Sequence, residues 1–227
     1  MTAMRVLRDS LAPGSRAPVL LVLLPGALQQ PEHLLEQGYA AAVRERGLAL
    51  DLAVVDLGLR YIGEAGDATA VRRLDDQLLL PAQRDYREIW LAGISLGGFV
   101  ALAHAARHPG RVRGLCLLAP YPGTRLLTGA IVRAGGPAAW AATSAADDDD
   151  EQRAWRWLAQ SALASGAPEI HLGYGDRDRF AAGHRLMAAM LPPDRVEVIA
   201  GGHDEPSWRI LWNHFLDRNG GRFDGRQ

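Results

Sequence analysis

The chain has 227 residues, 48% of them hydrophobic and 22% charged, with 7% aromatic; that length and balance give one domain, or one domain with a modest insertion, and exclude global disorder. A formal net charge of -1 with no basic block removes the electrostatic footprint of a nucleic-acid binder. Cys116 is the only cysteine, so there is no internal disulfide framework and no cysteine-rich zinc or iron–sulfur site; a reducing, cytoplasmic setting is expected.

All 25 basic residues are arginine, and no lysine occurs. Schiff-base chemistry, a Ser–Lys dyad, a P-loop lysine and a kinase strand lysine are therefore impossible. Arginine cannot stand in as a base, because it stays protonated in proteins. No apolar run approaches the roughly 20 residues of a membrane span.

In chain order, a weak strand signal over Met4–Arg8 comes first. Arg5, Arg8 and Arg16 then precede the apolar run Ala17–Leu24. A signal peptide would want a longer apolar stretch and a small-residue cleavage site, whereas this run stops at Pro25-Gly26, so Val19–Leu24 is expected to be a buried strand. A helix is expected over Pro31–Arg46, a strand over Leu50–Asp56 and a helix over Thr69–Gln83. The strand Glu88–Ile94 follows, then an almost wholly apolar helix, Leu96–Arg107. Strands over Val112–Leu118, Glu169–Gly173 and Val196–Ile199 alternate with helices over Gly183–Met190 and Ser207–Leu216. Apolar strand runs alternating with longer helical patterns predict an α/β fold, a mostly parallel central sheet flanked by helices.

One stretch breaks the alternation. Tyr121–Ser165 has no strand signal but holds Gly135-Gly136-Pro137, Trp140, Trp155, Trp157 and an acidic run from Asp147 to Glu151. It reads as a short helical cap inserted within one domain spanning residues 1–227. The acidic run is expected to be a solvated helix start opposing the helix dipole; no glycine-punctuated oxygen-ligand loop supports calcium. Leu126, Leu127, Ile131 and the three tryptophans either line an apolar substrate pocket or pack the cap onto the core, the latter being the better reading.

Gly93-Ile94-Ser95-Leu96-Gly97 matches G-x-S-x-G between a strand and a helix. Ser95 is expected at the elbow, on the carboxyl edge of the sheet. The flanking glycines let strand and helix approach, and the Leu96 N–H with the helix dipole can stabilise an oxyanion. A serine nucleophile needs a base and an orienting acid. Of seven histidines, only His203 lies in a glycine-rich loop, Gly201-Gly202-His203-Asp204, after a late strand. His104, His108, His171, His184 and His214 sit on helices or in a strand and read as structural; His33 is a candidate pocket-rim residue. For the acid, the turn after Glu169–Gly173 offers Asp178, favoured by its spacing from Gly175, and Asp176 as the alternative.

The order Ser95, Asp178, His203 resembles the α/β-hydrolase superfamily over about Leu20 to Leu216. Within it the phrases Leu24-Pro25-Gly26-Ala27, Ile89–Gly98 and Gly201-Gly202-His203-Asp204 resemble a small esterase-like group. The resemblance implies a second oxyanion donor in the loop after the first long strand, where the family often has His-Gly-X. Here the histidine is replaced by Pro25, so the donor would be the backbone N–H of Ala27, or of Leu28. Relatives acting on haloalkanes or epoxides place an aspartate where Ser95 stands. The expected function is a serine hydrolase cleaving a small-molecule carboxylic ester or thioester through an acyl-enzyme, without cofactor or metal. An acyltransferase, a carbon–carbon bond hydrolase and a non-catalytic binding protein on the same fold are the alternatives.

Overall fold

In the computed structural model, residues 3–11, 14, 16–58, 68–143 and 149–223 are described. Seven strands form one sheet: β1 (Val6–Asp9), β2 (Val19–Leu24), β3 (Leu50–Val55), β4 (Glu88–Ile94), β5 (Gly114–Leu118), β6 (Glu169–Gly175) and β7 (Val196–Ile199). Their spatial order is β1-β3-β2-β4-β5-β6-β7, and only β1 runs antiparallel. The chain winds outward in one direction from β2 to β3 and in the other from β4 to β7. The loops leaving β2 and β4 at the carboxyl edge therefore diverge to opposite faces of the sheet.

The central strands are buried on both faces, as their unbroken apolar runs require. Along β2, Leu20, Val22 and Leu24 join one core with Val71, Phe99 and Val100, while Val19, Leu21 and Leu23 join the other with Tyr39, Trp212 and Phe215. The first face is covered by α3 (Thr69–Leu74) and α4 (Leu96–Arg107). The second is covered by α1 (Pro31–Glu36), α2 (Tyr39–Glu45) and α9 (Glu205–Asn219).

Several boundaries differ from expectation for local reasons. The helix expected over Pro31–Arg46 is two helices, because Gly38 adopts φ 82° and breaks the run. The helix from Thr69 continues past Leu74 as a π turn, Asp75–Leu79, and a last turn, Leu80–Ala82. β5 begins at Gly114, where a Cβ would meet the Trp90 ring at 2.2 Å. β6 extends to Gly175 because β7 continues its ladder, pairing Tyr174 with Val198 and Gly175 with Ile199. The last helix is longer than expected because Asp204 caps it, accepting from the Ser207 N–H at 3.1 Å.

Between β5 and β6 lie α5 (Arg125–Arg133), α6 (Pro137–Thr143) and α7 (Asp150–Gln160); α8 (Ala181–Ala188) follows β6. Ile131, Trp140 and Trp155 are buried in the core of the first face, and the Trp155 Nε1–H donates to the Pro122 carbonyl at 2.7 Å. These aromatics are packing rather than pocket lining. Leu126, by contrast, is 83% exposed. The solvated reading of the acidic run is corrected at Asp150: this carboxylate is fully buried, paired with Arg107 and near Arg153. Asp149 caps α7, and Glu151 accepts from the Tyr121 hydroxyl and the Thr124 N–H. Asp147 and Asp148 lie outside the described residues. Among the described residues no helix is long and apolar enough to cross a membrane.

Burial pushes the imidazoles of His104, His171 and His184 down to about 4, from an ordinary value near 6.5. The folded pKa lies below the unfolded one, so the unfolded chain binds more protons between those values. Their stabilising effect is complete above about 6.5 and is lost as the pH falls toward 4. The urea midpoint is expected to drop clearly between about pH 7 and about pH 4.5; equal midpoints would show that these rings are not held neutral by the fold.

Candidate active site

Ser95 stands between β4 and α4 with φ 49° and ψ −111°, a conformation an L-residue adopts at a cost of about 1–3 kcal/mol. Its backbone is held there from both sides. The Ser95 N–H donates to the Leu118 carbonyl at 2.9 Å, and its carbonyl accepts from Tyr121 at 2.8 Å and Phe99 at 3.1 Å. The turn closes tightly enough that only glycine fits beside it: a Cβ on Gly97 would lie 2.2 Å from the Leu24 carbonyl oxygen, and one on Gly93 would lie 2.4 Å from Gly97. The spacing of the G-x-S-x-G motif is thus a steric requirement of this turn.

His203 comes from the loop after β7, and Asp178 from the loop after β6. The sheet order sets both beside the elbow, on the same carboxyl edge. His203 Nε2 lies 2.9 Å from Ser95 Oγ, and Nδ1 lies 2.7 Å from Asp178 Oδ2. The Asp178 side chain is fully buried and the His203 side chain is 7% exposed. Burial acts to raise the Asp178 carboxyl, but the hydrogen bonds from His203 and from the Phe180 N–H (2.7 Å) hold it below the ordinary carboxylate range. An ionised Asp178 accepts the Nδ1–H, which leaves the Nε2 lone pair facing the serine hydroxyl.

Asp176, the alternative acid, is placed elsewhere. Its side chain is 53% exposed; it accepts from the Gly201 N–H at 3.1 Å and sits 3.6 Å from Arg177. It braces the loop that carries His203 instead of facing the imidazole. That brace is close: a Cβ on Gly175 would lie 2.4 Å from the Gly201 carbonyl oxygen. Asp204 is the α9 cap described above.

Leu24 pairs with Gly93, so the chain after β2 leaves the sheet alongside the elbow. Gly26 to Gln29 form a turn, with Gln29 N–H donating to the Gly26 carbonyl at 3.2 Å and the Gly26 N–H donating to Gln29 Oε1 at 2.7 Å. Leu28 carries φ 64° and is 73% exposed. The side chain of Gln29 does the bracing in a loop that lacks the family's histidine. Neither the Ala27 nor the Leu96 N–H has a hydrogen-bond partner among the described residues.

The remaining histidines are structural in placement. His104 Nε2 lies 2.8 Å from Asp75, and His184 bonds the Pro120 carbonyl at 2.8 Å. His214 pairs with Glu197, His171 lies in β6, and His33 is exposed on α1. Asp75, His104 and His108 are the one group among the described residues whose ligand atoms, all within 4.8 Å, are close enough to hold a metal. Arg111 already sits 3.0 Å from the same carboxylate, and its positive charge opposes a cation there. The cluster ties the π turn after α3 to α4.

Motif reading missed two contacts to His203: its ring meets Phe180 and Trp208 at centroid separations of 5.0 and 5.2 Å. Nothing in the sequence separates these two from other aromatics.

A mostly parallel α/β sheet with a strained serine elbow at its carboxyl edge defines an α/β-hydrolase. The chain belongs to the Alpha/beta hydrolase family, whose model matches residues 21–224. No curated protein matches the sequence. Among solved structures, an S-formylglutathione hydrolase from Agrobacterium tumefaciens is similar at 18% identity and a TM-score of 0.56, covering 97% of this chain and 89% of that one. An alpha-beta serine hydrolase homologue from Coxiella burnetii is 16% identical (TM-score 0.59; 96% and 94% covered). A monoacylglycerol lipase from Paleococcus ferrophilus is 12% identical (TM-score 0.60; 96% and 98% covered). At these identities the likeness is one of fold.

Proposed function

We propose that the protein is a serine hydrolase that cleaves a carboxylic ester or thioester through an acyl-enzyme, with Ser95, His203 and Asp178 as its triad. The observation that carries this is the continuous hydrogen-bonded path from Ser95 Oγ through both ring nitrogens of His203 to a buried carboxylate. Ser95 Oγ attacks the acyl carbon while its proton passes to His203 Nε2. Asp178 holds the Nδ1–H and stabilises the imidazolium so formed. The N–H groups of Leu96 and Ala27 receive the oxyanion, with the α4 dipole aiding them. Collapse expels the alcohol or thiol with the proton from Nε2. Water then gives a proton to Nε2 as it attacks the acyl carbon, and collapse breaks the acyl–Oγ bond, returns that proton from Nε2 to Ser95 Oγ and releases the carboxylic acid. Esters and thioesters suit this site better than amides, because an alkoxide or thiolate leaves with less help from the acid.

We treat residues 1–227 as one catalytic unit in which 121–165 forms the cap. A reducing, cytoplasmic setting is part of the same proposal; it is supported by a lone, buried Cys116 thiol. The test is a panel of activated esters and thioesters of graded acyl length, run beside Ser95→Ala. Turnover that depends on Ser95 and varies with chain length is expected. A rate equal to the Ser95→Ala background across the whole panel would leave a binding protein on a hydrolase fold.

A further inference from the structure

Two hydrogen bonds hold an imidazole along a line, not in a plane. His203 is tied at Nδ1 and at Nε2, which fixes those two atoms but leaves the ring a tilt about the line joining them, as far as its bond to Cβ allows, and each tilt turns the N–H and the lone pair off their partners. Gly201 and Gly202, just before it, supply little side-chain restraint. Two neighbouring rings limit that tilt. The Phe180 ring stands at 88° to the imidazole and the Trp208 ring at 85°, both at contact distance.

The two rings are anchored on separate elements. Phe180 follows Asp178 in the β6–α8 loop and also meets the Tyr121 ring at 5.7 Å. Trp208 lies in the first turns of the capped helix α9 and packs against both cores. We propose that Trp208, together with Phe180, is a positioning residue that fixes the plane of His203, so that Nε2 stays aimed at Ser95 during proton transfer in acylation and deacylation. This rests on the triad reading above. Trp208 is the cleaner residue to test, because the Phe180 backbone also serves Asp178.

The experiment compares Trp208→Leu and Trp208→Phe with wild type on one activated ester, beside proton spectra of the downfield Nδ1–H resonance, identified by its absence in His203→Ala. Trp208→Leu is expected to lower kcat by roughly ten- to a hundredfold with KM nearly unchanged, as a misaimed base does. The Nδ1–H signal is expected to broaden in that variant. Trp208→Phe is expected to restore most of kcat and a sharp signal, since it returns a ring to the same edge. Should the leucine chain fail to fold by circular dichroism, Trp208→Met, which fills more of the space, carries the same expectations. A non-aromatic variant with kcat within about twofold of wild type and a sharp Nδ1–H signal would overturn the clamp, as would a loss confined to KM. Unreduced fluorophosphonate labelling of His203→Ala would overturn the triad reading itself, and the two failures are told apart by which variant shows them.

Discussion

Ser95→Ala is expected to abolish labelling by a fluorophosphonate probe and to lower kcat by about 10⁴-fold or more. Two features make this the largest effect. In the proposed triad the Ser95 hydroxyl, bonded to His203 Nε2, is the nucleophile, and alanine supplies no atom to bond the acyl carbon. The fold itself has little reason to suffer, because the elbow is held by backbone hydrogen bonds from Ser95 to Leu118, Phe99 and Tyr121, all of which alanine keeps. The thermal midpoint is therefore expected to stay near wild type while activity vanishes. The measurement is gel-based labelling with kinetics on the same samples; full labelling of Ser95→Ala would move the nucleophile to another residue.

The second large effect distinguishes two carboxylates two positions apart. Asp178→Asn is expected to reduce kcat/KM by roughly 10³–10⁴-fold, through the imidazole tautomer. An amide nitrogen facing Nδ1 donates where the carboxylate accepted, so the ring proton moves to Nε2 and the lone pair facing Ser95 is lost. Asp176→Asn keeps an oxygen able to accept from the Gly201 N–H, and its side chain is half exposed. A change of no more than about threefold is expected there, the size of a small shift in loop position. Kinetics of the two variants side by side test the assignment, and the reverse order of losses would make Asp176 the acid.

Much of this architecture is legible along the chain, because strands buried on both faces must be apolar there, as β2 and β5 are throughout and β4 is from Ile89 on. The serine elbow is legible for a steric reason: Gly93 and Gly97 sit where any Cβ would strike backbone. Other features depend on neighbours far away in sequence. The break at Gly38 follows from a positive φ that the apolar spacing of Pro31–Arg46 conceals. Asp150 reads as a solvated helix start until Arg107, from another helix, is brought against it. The cap tryptophans admit a pocket reading until Trp155 is seen bonded to Pro122 within the core.

By itself the sequence determined the fold class, the elbow and a short set of chemically competent groups, since these follow from local periodicity, small-residue sterics and the absence of lysine. Which carboxylate meets the imidazole, and in what plane the ring is held, only the tertiary structure decided. The imidazole meets a carboxylate 25 positions away and a hydroxyl 108 positions away, and β-sheet order, rather than any local preference, determines which loops share an edge.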